Sequence, residues 1–334
     1  MSAVTPDTSP GTGPGTTLAA RLGNRRLVTG LAFALTSAVA FSLSGTLASG
    51  LFATGWSPGA VVLVRVAVGT LVVLPAGLIA LRGRWGAVRR NVGLIVAYGT
   101  LAVAGAQFCY FSAVQHMQVG PALLIEYTAP AAVVVWFWLR HGQRPGPVTL
   151  AGAGLAALGL VLVLDLLSGA QLSPVGVAWS LGAMVGAATY FVINGDETTG
   201  LPPLVLAAGG LVVGTLVLGL LGLAGLMPLT ASAATPVYAG TSVPWWLPLA
   251  GLGVVTAGIA YVTGIAAGRR LGSRLSSFVS LLEVVAAIGF AWLLLGQLPR
   301  PVQLVGGLLI LAGVVVVRLG EERIARPEPV AEVG

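Results

Sequence analysis

Ten apolar stretches, each about twenty residues long and nearly free of charge, follow one another along this chain. They run Thr29–Ser49, Gly59–Leu81, Val92–Ala113, Pro121–Leu139, Pro147–Leu167, Pro174–Asn194, Pro203–Gly225, Pro244–Ala267, Leu275–Gly296 and Pro301–Leu319. About 20 apolar residues of helix cross the ~30 Å hydrocarbon core of a bilayer. Only 8% of the 334 residues are charged, against about 25% in soluble domains, so a water-facing surface cannot be built. Membrane β-barrels use roughly ten-residue segments of alternating polarity, whereas these stretches are continuous. The fold expected is all-α and integral to the membrane, with ten transmembrane helices. The 48 glycines suit close helix packing in lipid.

The net charge of +7 comes entirely from arginine, as the chain has no lysine. Fifteen of the 17 arginines fall on one side of the alternating topology: Arg21, Arg25, Arg26, Arg82, Arg84, Arg89, Arg90, Arg140, Arg144, Arg269, Arg270, Arg274, Arg318, Arg323 and Arg326. Arg300 alone falls on the other, and Arg65 lies within the second stretch. The positive-inside rule places both termini of this multi-pass chain in the cytoplasm. The basic balance therefore reflects the lipid bilayer, not nucleic acid. Residues 1–28 read as a disordered cytoplasmic N-terminal tail and residues 321–334 as a cytoplasmic C-terminal tail. No short apolar core with a cleavage site precedes the first stretch, so no removable signal peptide is expected.

The chain also repeats itself. Gly142-Gln143, Pro145, Pro147-Val148, Leu150 and Gly152 recur as Gly296-Gln297, Pro299, Pro301-Val302, Leu304 and Gly306, and Gly159/Gly313 and Val163/Val317 extend the register. Residues 29–167 and 174–320 are thus two five-helix repeats. Five is odd, so the second enters the membrane the opposite way up, an inverted-repeat plan that recurs in transporters with the site near mid-membrane.

An ionisable group near the bilayer centre costs about 2.5–3.5 kcal/mol on insertion scales, so each needs a reason. Glu126 lies roughly 9 Å into its stretch and Glu283 roughly 12 Å into its own, at 1.5 Å per residue. Ser276, Ser280 and Glu283 fall at i, i+4, i+7, on one helix face. Arg65 lies at a depth similar to that of Glu126. A structural salt bridge between them is one reading of Arg65; the other is that its fork of donors binds a substrate carboxylate. Gln107 and Tyr110 share a face of the third stretch, and Tyr190 and Tyr261 lie deep in the sixth and eighth. Together they can line a polar, aromatic pathway, although buried tyrosines also serve packing. Pro130 frees a backbone carbonyl in the preceding turn.

Enzyme classes are poorly supported. Both histidines, His116 and His141, lie in loops, which leaves no serine-protease dyad within the membrane. The one cysteine, Cys109, is alone in its stretch, and clustered metal ligands of the kind metal enzymes need are missing. Asp165 is the single aspartate within a stretch, so Asp-rich magnesium motifs are also missing. A P-loop is not present. Neither cofactor nor metal is expected.

The run Val119-Gly120-Pro121-Ala122-Leu123-Leu124-Ile125-Glu126-Tyr127, with Pro130 beyond it, resembles the fourth-helix motif of EamA-type members of the drug/metabolite transporter superfamily, most of all the threonine/homoserine exporter branch. Ser280-Leu281-Leu282-Glu283-Val284-Val285-Ala286-Ala287 resembles the ninth-helix motif, with Val284 where many members have Pro. Arg65, Tyr190 and Tyr261 match residues common in that branch. Gln143 and Gln297 stand where Glu is usual. The resemblance spans residues 29–320 and implies a secondary exporter of amino acids or related small metabolites; with the all-helical build it also implies location in the cytoplasmic (inner) membrane. Proton coupling and a central cavity opening alternately to each side belong to that expectation. An exporter of drugs, cationic metabolites or nucleobases, and a non-transporting membrane sensor, are the alternative readings.

Overall fold

The computed structural model of the protein describes residues 14–142, 145–163, 173–195 and 200–325. The side chains of residues 14–24, 137, 141, 194, 195, 272–278, 280, 318 and 321–325 are outside that description. The expectations for Ser276 and Ser280 therefore concern side chains that are not described, and Gln143, Asp165, Asp196 and Glu197 lie outside the described residues altogether.

The described chain is all-α apart from one short hairpin. Its helices are α1 (Pro14–Phe52), α2 (Pro58–Leu81), α3 (Trp85–Arg90), α4 (Val92–His116), α5 (Val119–Glu126), α6 (Ala129–His141), α7 (Pro147–Val163), α8 (Pro174–Gly195) and α9 (Pro203–Leu223). After the two-residue strands β1 (Val237–Tyr238) and β2 (Thr241–Ser242) come α10, α11 (Leu282–Leu295) and α12 (Pro301–Ala325). Helix α10 runs in sequence through Trp246–Ala250, Gly251–Ile259 and Ala260–Ser280. Several helices begin at Pro, whose missing N–H would be unpaired in a first turn anyway. Helix α1 starts inside the segment read as a tail.

Seven helical spans among the described residues are long and apolar enough to cross a membrane: Arg25–Phe52, Pro58–Leu81, Val92–His116, Val119–Arg140, Pro174–Ile193, Pro203–Leu223 and Trp246–Leu271. Pro147–Val163, Leu282–Leu295 and Pro301–Val317 are shorter apolar helices. The ninth stretch is shortened because helix continues to Ser280, through residues 268–274 that the sequence pattern reads as a loop, and restarts only at Leu282.

Irregularities recur at matching places in the two halves. Tyr98–Gly105 in α4 and Gly251–Ile259 in α10 are both π-helical, a wider winding often found at functional sites. Gly142 and Gly296 both close a helix in the left-handed region, with φ of 66° and 68°, where a Cβ would be strained. The chain breaks after Glu126, where the Thr128 hydroxyl donates to Ile125 O at 2.7 Å. Pro130 then falls in the first turn of α6. A second break at Leu281 puts Glu283 in the first turn of α11, where the helix dipole favours a carboxylate.

The packing is reciprocal as well. A Cβ added at Gly152 on α7 would lie 2.8 Å from Gly313 O on α12, and one added at Gly306 on α12 would lie 2.6 Å from Gly159 O. Rising numbers on one helix meet falling numbers on the other, so α7 and α12 cross antiparallel with their backbones in contact. Gly99 of α4 seats Val213 of α9 as Gly253 of α10 seats Val68 of α2, and Gly214 seats Val103 as Gly69 seats Ala257. Where α2 meets α9, the hydroxyls of Thr70 and Thr215 share a hydrogen bond of 2.9 Å. Each contact of i with j in these pairs thus recurs between the counterparts of j and i.

At one end of the bundle the Leu226–Val243 segment straps several helices together. Trp56 Nε1 donates to Ser232 O at 2.8 Å, and the Ser57 hydroxyl donates to Pro228 O at 2.7 Å. Tyr238 fills the space a side chain at Gly50 would take and donates to Leu47 O at 2.6 Å. Ala239 N donates to Leu294 O at 2.8 Å. Gln297 Oε1 accepts from Val119 N at 3.2 Å, so it serves as an uncharged acceptor at the start of α5.

Candidate functional site

Arg65 is the one charged residue of α2 and is only 4% exposed. Its Nε donates to Thr256 Oγ1 at 3.0 Å and its Nη2 to Thr256 O at 3.1 Å. Its Nη1 donates to Gln107 Oε1. The Phe111 ring stands 5.4 Å from Cζ, within the range of a cation–π contact. Thr256 sits in the π-helical turn of α10, and its hydroxyl also donates to Leu252 O at 2.8 Å.

The expected pairing of Arg65 with Glu126 is not what the structure contains. The described partners of Arg65 are neutral, and among the described residues it forms no ion pair. Thr256 and Gln107, not Glu126, take the three donors that Arg65 uses. The Glu126 carboxylate, at the end of α5 and partly buried, has no hydrogen bond among the described residues. Glu283 Oε2 accepts from the Tyr127 hydroxyl at 2.9 Å.

The tyrosines surround these groups. Tyr261 meets Phe41 edge-on, with centroids 5.2 Å apart. The Tyr110 hydroxyl occupies the space left by Gly45. Tyr190 lies against Tyr98, centroids 5.9 Å apart. Arg65, Glu126 and Glu283 are near enough to act electrostatically on one another and on the Tyr110 and Tyr261 phenols. Tyr190 feels Tyr261 and Glu283. The structure thus brings together Arg65, Gln107, Tyr110, Glu126, Tyr190, Tyr261 and Glu283, from α2, α4, α5, α8, α10 and α11. The Ser280 side chain is outside the description.

Sequence reasoning missed Thr256, Tyr127 and Phe111 as site residues. A lone threonine in an apolar stretch satisfies its own hydroxyl on the preceding turn, and nothing local marks it as an arginine's partner. Tyr127 carried a signal in its place directly after Glu126 and before a helix-breaking Pro. Chemically the cluster offers a fixed cation with donors to spare, one carboxylate without a described partner, another bonded to a phenol, and aromatic walls. Such a set suits recognition of a small polar molecule inside an apolar bundle.

The profile of the EamA-like transporter family matches residues 28–165 and 174–319. The chain is 27% identical over 293 residues to the "Threonine/homoserine exporter RhtA" of Salmonella typhimurium (strain LT2), covering 85% of this chain and 88% of that one. It is 26% identical over 290 residues to the protein of the same name from Escherichia coli (strain K12), with the same coverage. One solved crystal structure superposes with a TM-score of 0.57 at 22% identity, covering 90% of this chain and 99% of its own. That likeness concerns the fold. With two matched segments covering most of its length and multiple apolar helices of membrane-crossing length, this multi-pass membrane protein belongs to the EamA-like transporter family.

Proposed function

We propose that the protein is a secondary transporter exporting amino acids or related small metabolites across the cytoplasmic membrane by alternating access, coupled to protons. One observation carries the reading. Arg65 of the first half is buried and bonded to Gln107 and to Thr256 of the second, and Glu283 of the second half is bonded to Tyr127 of the first, with Glu126 and three tyrosines in electrostatic range, inside a chain whose exterior is apolar. Burying that many polar groups in a lipid-embedded bundle is costly and marks a substrate or ion path. The curated relatives, named as threonine/homoserine exporters, point to amino acids as the class to test first.

In this reading the chain crosses the membrane ten times as two inverted five-helix repeats, with both termini in the cytoplasm. The reciprocal glycine contacts, the antiparallel crossing of α7 and α12 and the matched π-turns support it. Equivalent helices that run antiparallel across a bilayer are related by an axis in its plane, and rocking one repeat against the other exposes the site alternately. Glu283, whose one described partner is the Tyr127 phenol, is assigned to the proton. Glu126, with no described partner, is assigned to the substrate's cationic group.

The test is uptake of a labelled metabolite panel into proteoliposomes holding the purified chain. The panel contains amino acids, nucleobases and organic cations. Flux of amino acids above that in protein-free vesicles supports the reading. Flux confined to nucleobases or cations favours the broader exporter class, and no flux of any member favours a non-transporting sensor.

A further inference from the structure

We infer that Arg65 is the anchor for the carboxylate of a zwitterionic substrate and that Thr256 is the positioning residue that aims it. This deepens the transporter reading and rests on it. A guanidinium has five N–H donors, and the three described bonds of Arg65 use three of them. All three go to neutral oxygens, so the positive charge is buried with no carboxylate bonded to it among the described residues, and Glu126 and Glu283 act on it only from a distance. A charge so placed is strongly unfavourable until an anion completes it. Here the nearby acids leave it unpaired, one on Tyr127 and one without a described bond.

The geometry fixes where the remaining donors point. Nε and Nη2 form one edge of the planar fork, and Thr256 holds that edge twice, through its hydroxyl and its carbonyl. Gln107 holds Nη1, and Phe111 lies over the face. The plane cannot turn, so the two spare N–H groups are held in fixed directions before a ligand arrives, which lowers the cost of binding. A carboxylate is the planar anion that matches two guanidinium donors. A phosphate, which carries more charge, would meet repulsion from Glu126 and Glu283. An ammonium on the same ligand meets attraction from them instead. An α-amino acid carries both groups. Thr256 comes from the second half and Arg65 from the first, so the anchor is complete only where the halves meet.

The experiment measures binding to the purified full chain in detergent by calorimetry, with L-threonine, L-homoserine and L-threoninamide as probes. The amide keeps the ammonium and hydroxyl but not the carboxylate. Hydrogen bonds to charged groups carry about 1.5–3 kcal/mol, on the order of tenfold to a hundredfold in affinity. The native chain should prefer L-threonine over L-threoninamide by at least about tenfold on that scale. Thr256→Val, which removes the hydroxyl and keeps the shape, should collapse the preference without weakening the amide. Thr256→Ser should restore it, and Arg65→Lys should lose it. A role in folding alone would weaken all probes together.

Equal binding of acid and amide by the native chain overturns the assignment, and needs no variant to fold. A preference that survives in Thr256→Val overturns the role of Thr256, and one that survives in Arg65→Lys overturns the anchor. Amino-acid flux in proteoliposomes without acid–amide discrimination defeats the anchor and leaves the transporter reading standing. Absence of both amino-acid binding and amino-acid flux defeats the two together.

Discussion

Replacing Gly152 by alanine places a methyl group against the backbone of the facing helix. The new Cβ would lie 2.6 Å from Val317 N and 2.8 Å from Gly313 O. Ordinary contact begins near 3.4 Å, so α7 and α12 must part by about 0.8 Å, and backbone atoms cannot turn aside as a side chain can. A gap of 0.5–1 Å already forfeits about a quarter to a half of a dispersion contact. In lipid, such contacts are a main source of helix association. Overpacking of this kind typically costs about 1–3 kcal/mol. Gly154→Ala is the control: it lies on the same helix with nothing within 4 Å of the added Cβ. It should be neutral or gain up to about 1 kcal/mol from helix propensity. Gly313→Ala meets Gly152 O and Ala156 N, both at 2.6 Å, and should cost as much as Gly152→Ala. The double variant should cost clearly less than the sum, because the helices need to part only once. Thermal unfolding in detergent, followed by the loss of the monodisperse peak on size exclusion, measures all four. Gly152→Ala as stable as Gly154→Ala, or fully additive costs, would refute the reciprocal backbone contact.

Three further outcomes are expected. In a Cys109→Ser background, cysteines introduced at Gly86 and Arg270 should resist impermeant thiol reagents in intact cells, while one at Ser232 should label; labelling at Gly86 would reverse the orientation drawn from arginine. Tyr238→Phe should cost about 0.5–1.5 kcal/mol through its bond to Leu47 O. Burial pushes the Tyr238 phenol well above its ordinary value near 10. The unfolded chain therefore loses this proton first, so its contribution to stability is intact below about pH 10 and falls as pH rises beyond it. Melting temperatures measured from pH 8 to 11 should fall less steeply in Tyr238→Phe than in the native chain, and identical slopes would count against the buried phenol. Tyr127→Phe should impair pH-driven flux more than binding of L-threonine, and an equal loss of both would remove the phenol from the proton step.

The membrane class was legible because scarcity of charge and length of apolar runs are one-dimensional properties. The repeat was legible too: Gly152/Gly306 and Gly159/Gly313, found by matching sequence to sequence, are the glycines through which α7 and α12 touch. Arg65, Glu126 and Glu283 stood out because an ionisable group in an apolar stretch needs a reason. What the pattern could not supply was partnership. Depth estimated from sequence put Arg65 beside Glu126, but lateral position around each helix decides which oxygens meet a guanidinium, and those belong to Thr256 and Gln107. The π-turns were hidden because Tyr98–Gly105 and Gly251–Ile259 are apolar or small almost throughout, so a change in residues per turn leaves no mark on the hydrophobic pattern. The helix through residues 268–274 was hidden by its arginines, which signal an interface without specifying its backbone.

The most direct test of the account is accumulation of labelled L-threonine in inverted vesicles under an imposed pH gradient, acidic inside. The native chain should drive uptake that collapses when the gradient is dissipated. Glu283→Gln, an isostere that cannot titrate, should abolish the pH-driven component and keep threonine exchange at zero gradient, while Glu126→Gln should weaken exchange itself. Unchanged pH-driven accumulation in Glu283→Gln would contradict the proton role, and absence of threonine flux in the native chain would contradict amino-acid export.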